Sequence, residues 1–213
     1  MLREALELLR STRARTLSMV KGLSQAQMDY SPAHGRWSVG EVLDHLLLFE
    51  TFFRNEIEQL IELKKVGREP VLKRTFADLN FSMAMIPKFL LPVLEIPFTV
   101  LNVFVPSAVR ELMIRNRLVP AQSADIATPR KGRAAAELRD ELERFLEQTG
   151  RLFKANPNLD YREMIEQHPL LGTNNVPQLL RLLAFHEQRH QSQLFDILRA
   201  PQFPKARQSS NHQ

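Results

Sequence analysis

Apolar residues recur at three- and four-residue spacing in four stretches of this chain, and each stretch reads as an amphipathic helix. The first covers residues 2–23, with Leu2, Leu6, Leu9, Val20 and Leu23 on one face and an end near Gly22. A loop follows, SQAQMDYSPAHGRW, broken by Pro32 and Gly35. Ser38 then stands three residues before Glu41, the spacing of a capping box, so a second helix should begin there. Val42, Leu46, Phe49, Phe53, Ile57 and Leu60 give it a core stripe running to about Lys64. A third helix is expected over 134–153, with Leu138, Leu142, Phe145, Leu146 and Leu152 inward and charges outward. Pro177 suits the first turn of a fourth, which should run to about Leu198.

No convincing run of period-two alternation and no internal repeat stands out. Four amphipathic helices without strands predict an all-α fold, a four-helix bundle whose sites are built from inward-facing side chains. One segment breaks the pattern between the second and third helices. Residues 80–105, NFSMAMIPKFLLPVLEIPFTVLNVFV, are strongly apolar yet interrupted by Pro87, Pro92 and Pro97 and carry Lys88 and Glu95. A spanning helix needs about 20 mostly apolar residues, which this composition fits poorly. A cavity wall or subunit contact ranks first for the segment, core filler second and a membrane-surface element third. A short helix over 106–116 should follow. The domain is expected to span 1–200, with this Pro-rich insertion at about 68–130 and a disordered basic tail over 201–213.

A length of 213 residues fits one domain with a real core, and 44% hydrophobic with 25% charged residues is globular composition. The absence of cysteine excludes disulfides, thiolate metal sites and a cysteine nucleophile, and it fits a reducing cytoplasm. The opening MLREALELLRSTRARTL lacks the continuous apolar run of a secretory signal, so a cytoplasmic protein is expected. The net charge of +5 would suit an anionic substrate, a nucleic acid or an acidic membrane surface and is too scattered to choose among them; much of it sits in 115–133 and 204–213 without interleaved aromatics, which argues against nucleic-acid binding. No G-x-S-x-G elbow, Gly-rich phosphate loop or H-E-x-x-H occurs, so serine hydrolase, nucleotide enzyme and zincin readings drop out.

The anomaly lies in the fourth helix, whose inward stripe reads Leu179, Leu183, His186, His190, Leu194 and Ile197. Two imidazoles occupy positions where the pattern requires apolar side chains. Residues four apart on a helix have Cβ atoms about 6 Å apart, close enough for two rings to converge on one ion. His45, inward on the second helix, could supply a third nitrogen. Three neutral imidazoles with a vacant vertex are the usual plan of a catalytic metal site. H-x-x-x-H also occurs by chance, and a buried histidine often only bonds a carbonyl; the core placement of all three weighs toward ligands.

The stretches GRWSVGEVLDHLLLFE (35–50) and HPLLGTNNVPQLLRLLAFHEQRHQSQL (168–194), in that order and at that distance, resemble the DinB-like (DinB/YfiT) metalloenzyme superfamily. The resemblance implies a four-helix bundle of DinB/YfiT type holding a divalent metal, zinc, nickel or iron, on His45, His186 and His190. It implies thiol-dependent transferase or isomerase chemistry, or hydrolysis, on a small-molecule substrate, in a chain that often forms a homodimer. With no cysteine here, a low-molecular-weight thiol would be a cosubstrate. Three imidazoles leave the metal its full double positive charge, suited to acidify water or polarise a carbonyl. The apolar insertion departs from a minimal member. Two other readings compete: a non-catalytic bundle stapled by the ion, and an interaction protein using 80–105 at a membrane or subunit interface.

Residues around the trio have two readings each. Glu41, four before His45, could orient its ring, but its capping box explains it equally well. His168 either faces the metal mouth or caps a loop, and Gln193, three after His190, could hydrogen-bond a ligand or a bound molecule. Glu187 points about 100° from His186, so a solvated or bundle-edge place is expected. Trp37 is expected to pack as a hydrophobic staple rather than to touch substrate. Arg115, Arg117, Arg130, Lys131 and Arg133 could recruit an anionic substrate, although such runs usually form a solvated face.

Overall fold

The computed structural model describes residues 1–75, 128–169 and 171–205. The apolar segment 80–105, the helix expected over 106–116, Arg115, Arg117 and the tail beyond 205 lie outside the described residues. In chain order the elements are α1 (Leu2–Met19), α2 (Gln25–Met28), α3 (Val39–Lys65), β1 (Val71–Lys73), α4 (Ala135–Ala155), β2 (Ile165–His168), β3 (Gly172–Asn175) and α5 (Val176–Leu198). The four long helices fall where the hydrophobic periodicity predicts them.

Two capping boxes position the helices that carry the histidines. The Ser38 hydroxyl accepts from Glu41 N–H at 3.2 Å while Glu41 Oε2 accepts from Ser38 N–H at 2.9 Å, satisfying two amides that would otherwise be orphaned at the start of α3. Asn175 and Gln178 repeat the arrangement at α5, with Pro177 in its first turn. This second box is also visible in the sequence, as Asn-x-x-Gln. Replacing Ser38 with Ala should cost about 1 kcal/mol in urea unfolding while Ser38→Asp costs little. An Ala variant as stable as the parent would show that the box does not hold this helix end.

Helix α1 packs on α4 and α5, and α3 packs on α4 and α5. Their apolar faces form two clusters. One gathers Leu9, Phe53, Ile57, Leu60, Leu179 and Leu183; the other gathers Val42, Leu46, Leu138, Leu142, Leu194 and Ile197. Between them, at the same height on three helices, buried polar side chains interrupt the core: Thr12, Arg13 and Thr16 on α1, His45 and Glu50 on α3, Glu187, His190 and Gln191 on α5. Gln191 Nε2 ties this belt together by donating to Thr12 O and Thr16 Oγ1. No helix among the described residues is long and apolar enough to cross a membrane.

The expectation of a purely α fold is corrected by a three-stranded sheet in the order β1-β2-β3. β1 runs parallel to β2, with Leu72 opposite Glu166, and β2 runs antiparallel to β3, with His168 opposite Gly172. Strands of three and four residues are too short to register as alternation along a sequence. Gly172, at φ +71°, takes the left-handed conformation at the start of β3. β1 lies inside 68–130, the span expected as an insertion, and pairs with β2. At the start of the segment expected as a tail, Phe203 packs edge-on against Tyr30 at 5.4 Å, and Pro204 O accepts from Gln27 Nε2.

Candidate metal centre

His45 enters from the second turn of α3 and His186 and His190 from the middle of α5, and their imidazoles meet. His186 Nε2 lies 3.2 Å from His45 Nε2 and 3.3 Å from His190 Nε2. Candidate ligand atoms of all three lie within 4.8 Å of one another, the one such trio among the described residues. A tetrahedral ion with nitrogens at 2.0–2.1 Å sets its ligands about 3.3–3.4 Å apart, so two of the three edges already have coordination spacing.

The hydrogen-bond chemistry of the rings fits an ion as well. Gln193 Oε1 can only accept, so at 2.9 Å it takes the Nδ1 hydrogen of His190 and leaves Nε2 a bare lone pair. Burial, and after it the His190 and His45 rings, hold the pKa of His186 well below the usual imidazole value, which keeps this ring neutral as ligation requires. One Nε2 hydrogen on His186 could point at only one of its two neighbours, whereas a single ion satisfies three lone pairs. Among the described residues, these three histidines could hold a metal ion.

Aromatic rings enclose the trio. Phe49 stacks on His186 with centroids 3.8 Å apart. Trp37 sits 4.8 Å from His45 and lies stacked on His190 at 6.0 Å, so it walls the site as well as packing on the cluster of Val42, Leu46 and Leu194. A groove of about 330 Å³ is lined by Pro32, Arg36, Trp37, Gln193 and Asp196, so it shares Trp37 and Gln193 with the surroundings of the trio.

The neighbours expected from sequence divide. Gln193 contacts a trio member directly. Glu41 spends Oε2 on its capping box, and its Oε1 lies 4.0 Å from exposed Lys131. His168 stands apart from the trio: its Nδ1 accepts from Leu171 N–H at 3.2 Å, and its ring packs 6.3 Å from Phe53. Burial, with Arg74 adding to it, pulls the pKa of His168 down to about 3. Arg130 and Arg133 are not a free basic face, because both bind the buried Asp44 carboxylate, Arg130 Nη2 at 3.0 Å and Arg133 Nη1 at 2.8 Å. Burial alone would raise the Asp44 pKa, but these hydrogen bonds outweigh it and hold it below the usual value.

Glu187 overturns its expected place. It is 2% exposed and accepts from Arg13 Nε at 2.9 Å and from Nη2 at 3.0 Å. An angle of 100° from the trio points to solvent only if no other helix covers that side, and α1 covers it. Arg13 itself was missed, although the signal was present: it falls on the α1 stripe formed by Leu2, Leu6, Leu9 and Val20.

Comparison with curated proteins and with solved structures gave no match. The family model of the DinB superfamily matches residues 8–194, a span that holds α3, α5 and all three histidines. Helical architecture and matched span agree, and the chain belongs to the DinB superfamily.

Proposed function

We propose that this chain is a metal-dependent enzyme, a thiol-dependent transferase or hydrolase acting on a small molecule, with a divalent ion on His45, His186 and His190. The observation that carries the reading is the approach of three Nε2 atoms in the polar belt between two apolar clusters. We further read the four long helices as a four-helix bundle, the segment within 68–130 as an insertion into it, and zinc, nickel or iron as the metal.

When bound there, such an ion keeps its double positive charge and supplies electrophilic polarisation to a reactant. The chain supplies the rest. Gln193 holds His190 in the tautomer with Nε2 free. Phe49 and Trp37 pack against the imidazoles and limit the water that reaches them. Three uncharged donors add no negative charge to the site, and any thiol in the reaction comes from a second substrate, since the chain has none.

Metal analysis of the purified protein tests the reading: about one divalent ion per chain is expected. A metal-free preparation that cannot be reloaded refutes it. The rival in which the ion only staples α3 to α5 makes a different forecast. Both apolar clusters pack without help from the imidazoles, so the chelated protein should keep its helical circular dichroism at 25 °C and still melt cooperatively. Unfolding on chelation would favour the staple.

A further inference from the structure

The guanidinium of Arg13, on α1, hydrogen-bonds to each of the other three long helices. Nε and Nη2 take the two oxygens of Glu187 on α5, Nη2 also takes Glu50 Oε2 on α3 at 2.7 Å, and Nη1 takes Leu142 O on α4 at 2.5 Å. Arg13, Glu50 and Glu187 are each 2% exposed. Burying three charges is a poor way to gain stability, because desolvation can exceed the Coulombic return. Glu50 Oε1 even lacks a hydrogen-bond partner among the described residues. What a planar fork of fixed donors does provide is distance and direction.

Those distances are set at the height of the trio. Glu187 follows His186 on α5, and Glu50 follows Phe49, whose ring stacks on His186. Two carboxylates, one on each histidine-bearing helix, thus share one nitrogen of one side chain. We propose that Arg13 is a positioning residue for the metal centre, fixing the spacing of α3 and α5 so that the three Nε2 atoms converge. The inference rests on the metal reading above and adds a residue that touches neither ion nor substrate.

Cobalt(II) is the probe, followed by chelator competition for affinity and by its visible band for geometry. Arg13→Lys keeps the charge and loses the fork. At a temperature where circular dichroism shows it folded, it should bind cobalt about tenfold to a hundredfold more weakly than the parent, with an altered band. Glu187→Gln, a milder change, should move both readouts in the same direction and carries the test if Arg13→Lys does not fold. Leu60→Ala, a buried change fifteen residues along α3 from His45, should lower melting and leave cobalt affinity and band unchanged. Folded Arg13→Lys with parental affinity and spectrum overturns this proposal alone. A parent protein that takes up no cobalt overturns both it and the metal reading.

Discussion

In the His186→Ala variant, metal content is expected to fall from about one ion per chain to a small residue, with affinity down by two to three orders of magnitude. The estimate follows from zinc binding free energies of about 10–16 kcal/mol over four ligands, or about 2.5–4 kcal/mol for each. His186 is the choice because its Nε2 makes both of the short contacts, to His45 and to His190. Without it, two nitrogens remain on different helices and no pair keeps the coordination edge. His168→Ala is the matched control. It removes a histidine whose Nδ1 serves the backbone of Leu171 and whose ring lies against Phe53, so metal content should not change. Retention of the ion by His186→Ala, or its loss from His168→Ala, would move the site elsewhere.

Glu166→Gln should stabilise the protein at neutral pH and above. Glu166 sits at the middle of the sheet, 0% exposed, and neither carboxyl oxygen has a hydrogen-bond partner among the described residues. Burial raises its pKa from 4.5 to about 8, with Glu56 adding to the rise and the Arg74 guanidinium opposing it. The charged groups facing it are therefore Glu56 of α3, already held by Arg74 at 2.7 and 2.9 Å, and Arg74 itself.

The sign follows from proton counts. Below the unfolded value the carboxyl is neutral in both states and makes no pH-dependent contribution. Between 4.5 and about 8 the folded state holds a proton that the unfolded state has released, so stability falls with pH by about 1.4 kcal/mol for each unit. Above about 8 both states are ionised and the loss levels off. Gln keeps the shape and does not titrate. At pH 7.5, three units above the unfolded value, the variant should be more stable by roughly 4 kcal/mol, which for a chain of this size is a Tm rise of roughly 10 °C. Near pH 4 the two proteins should differ little in this respect. Equal urea midpoints at pH 7.5, or an advantage of the same size at both pH values, would contradict a neutral buried acid at this position.

The long helices and their beginnings could be read from the chain because they rest on local chemistry. Ser38 and Glu41 find each other within one turn, and Val42, Leu46, Phe53 and Ile57 repeat often enough to define a face. The strands could not be read, since Val71–Lys73 pairs with Ile165–His168 across more than ninety residues and neither segment is long enough to show a period. Arg13 is an instructive miss. On α1 alone it is a charge in an apolar stripe, and only the arrival of Glu50, Glu187 and Leu142 O turns it into a satisfied core residue. Trp37 was assigned to packing for a similar reason, because nothing local reveals that His45 and His190 will lie against its ring.

By itself, the sequence determined which side chains point inward: periodicity reports the face of a helix, and it puts His45, His186 and His190 on inward faces. Tertiary structure decided that the faces meet, placing Nε2 atoms 3.2 and 3.3 Å apart, and that the side of α5 carrying Glu187 is covered and not wet. Helical pattern is a one-dimensional signal within one element, whereas distances between elements arise from long-range packing, which no local spacing encodes.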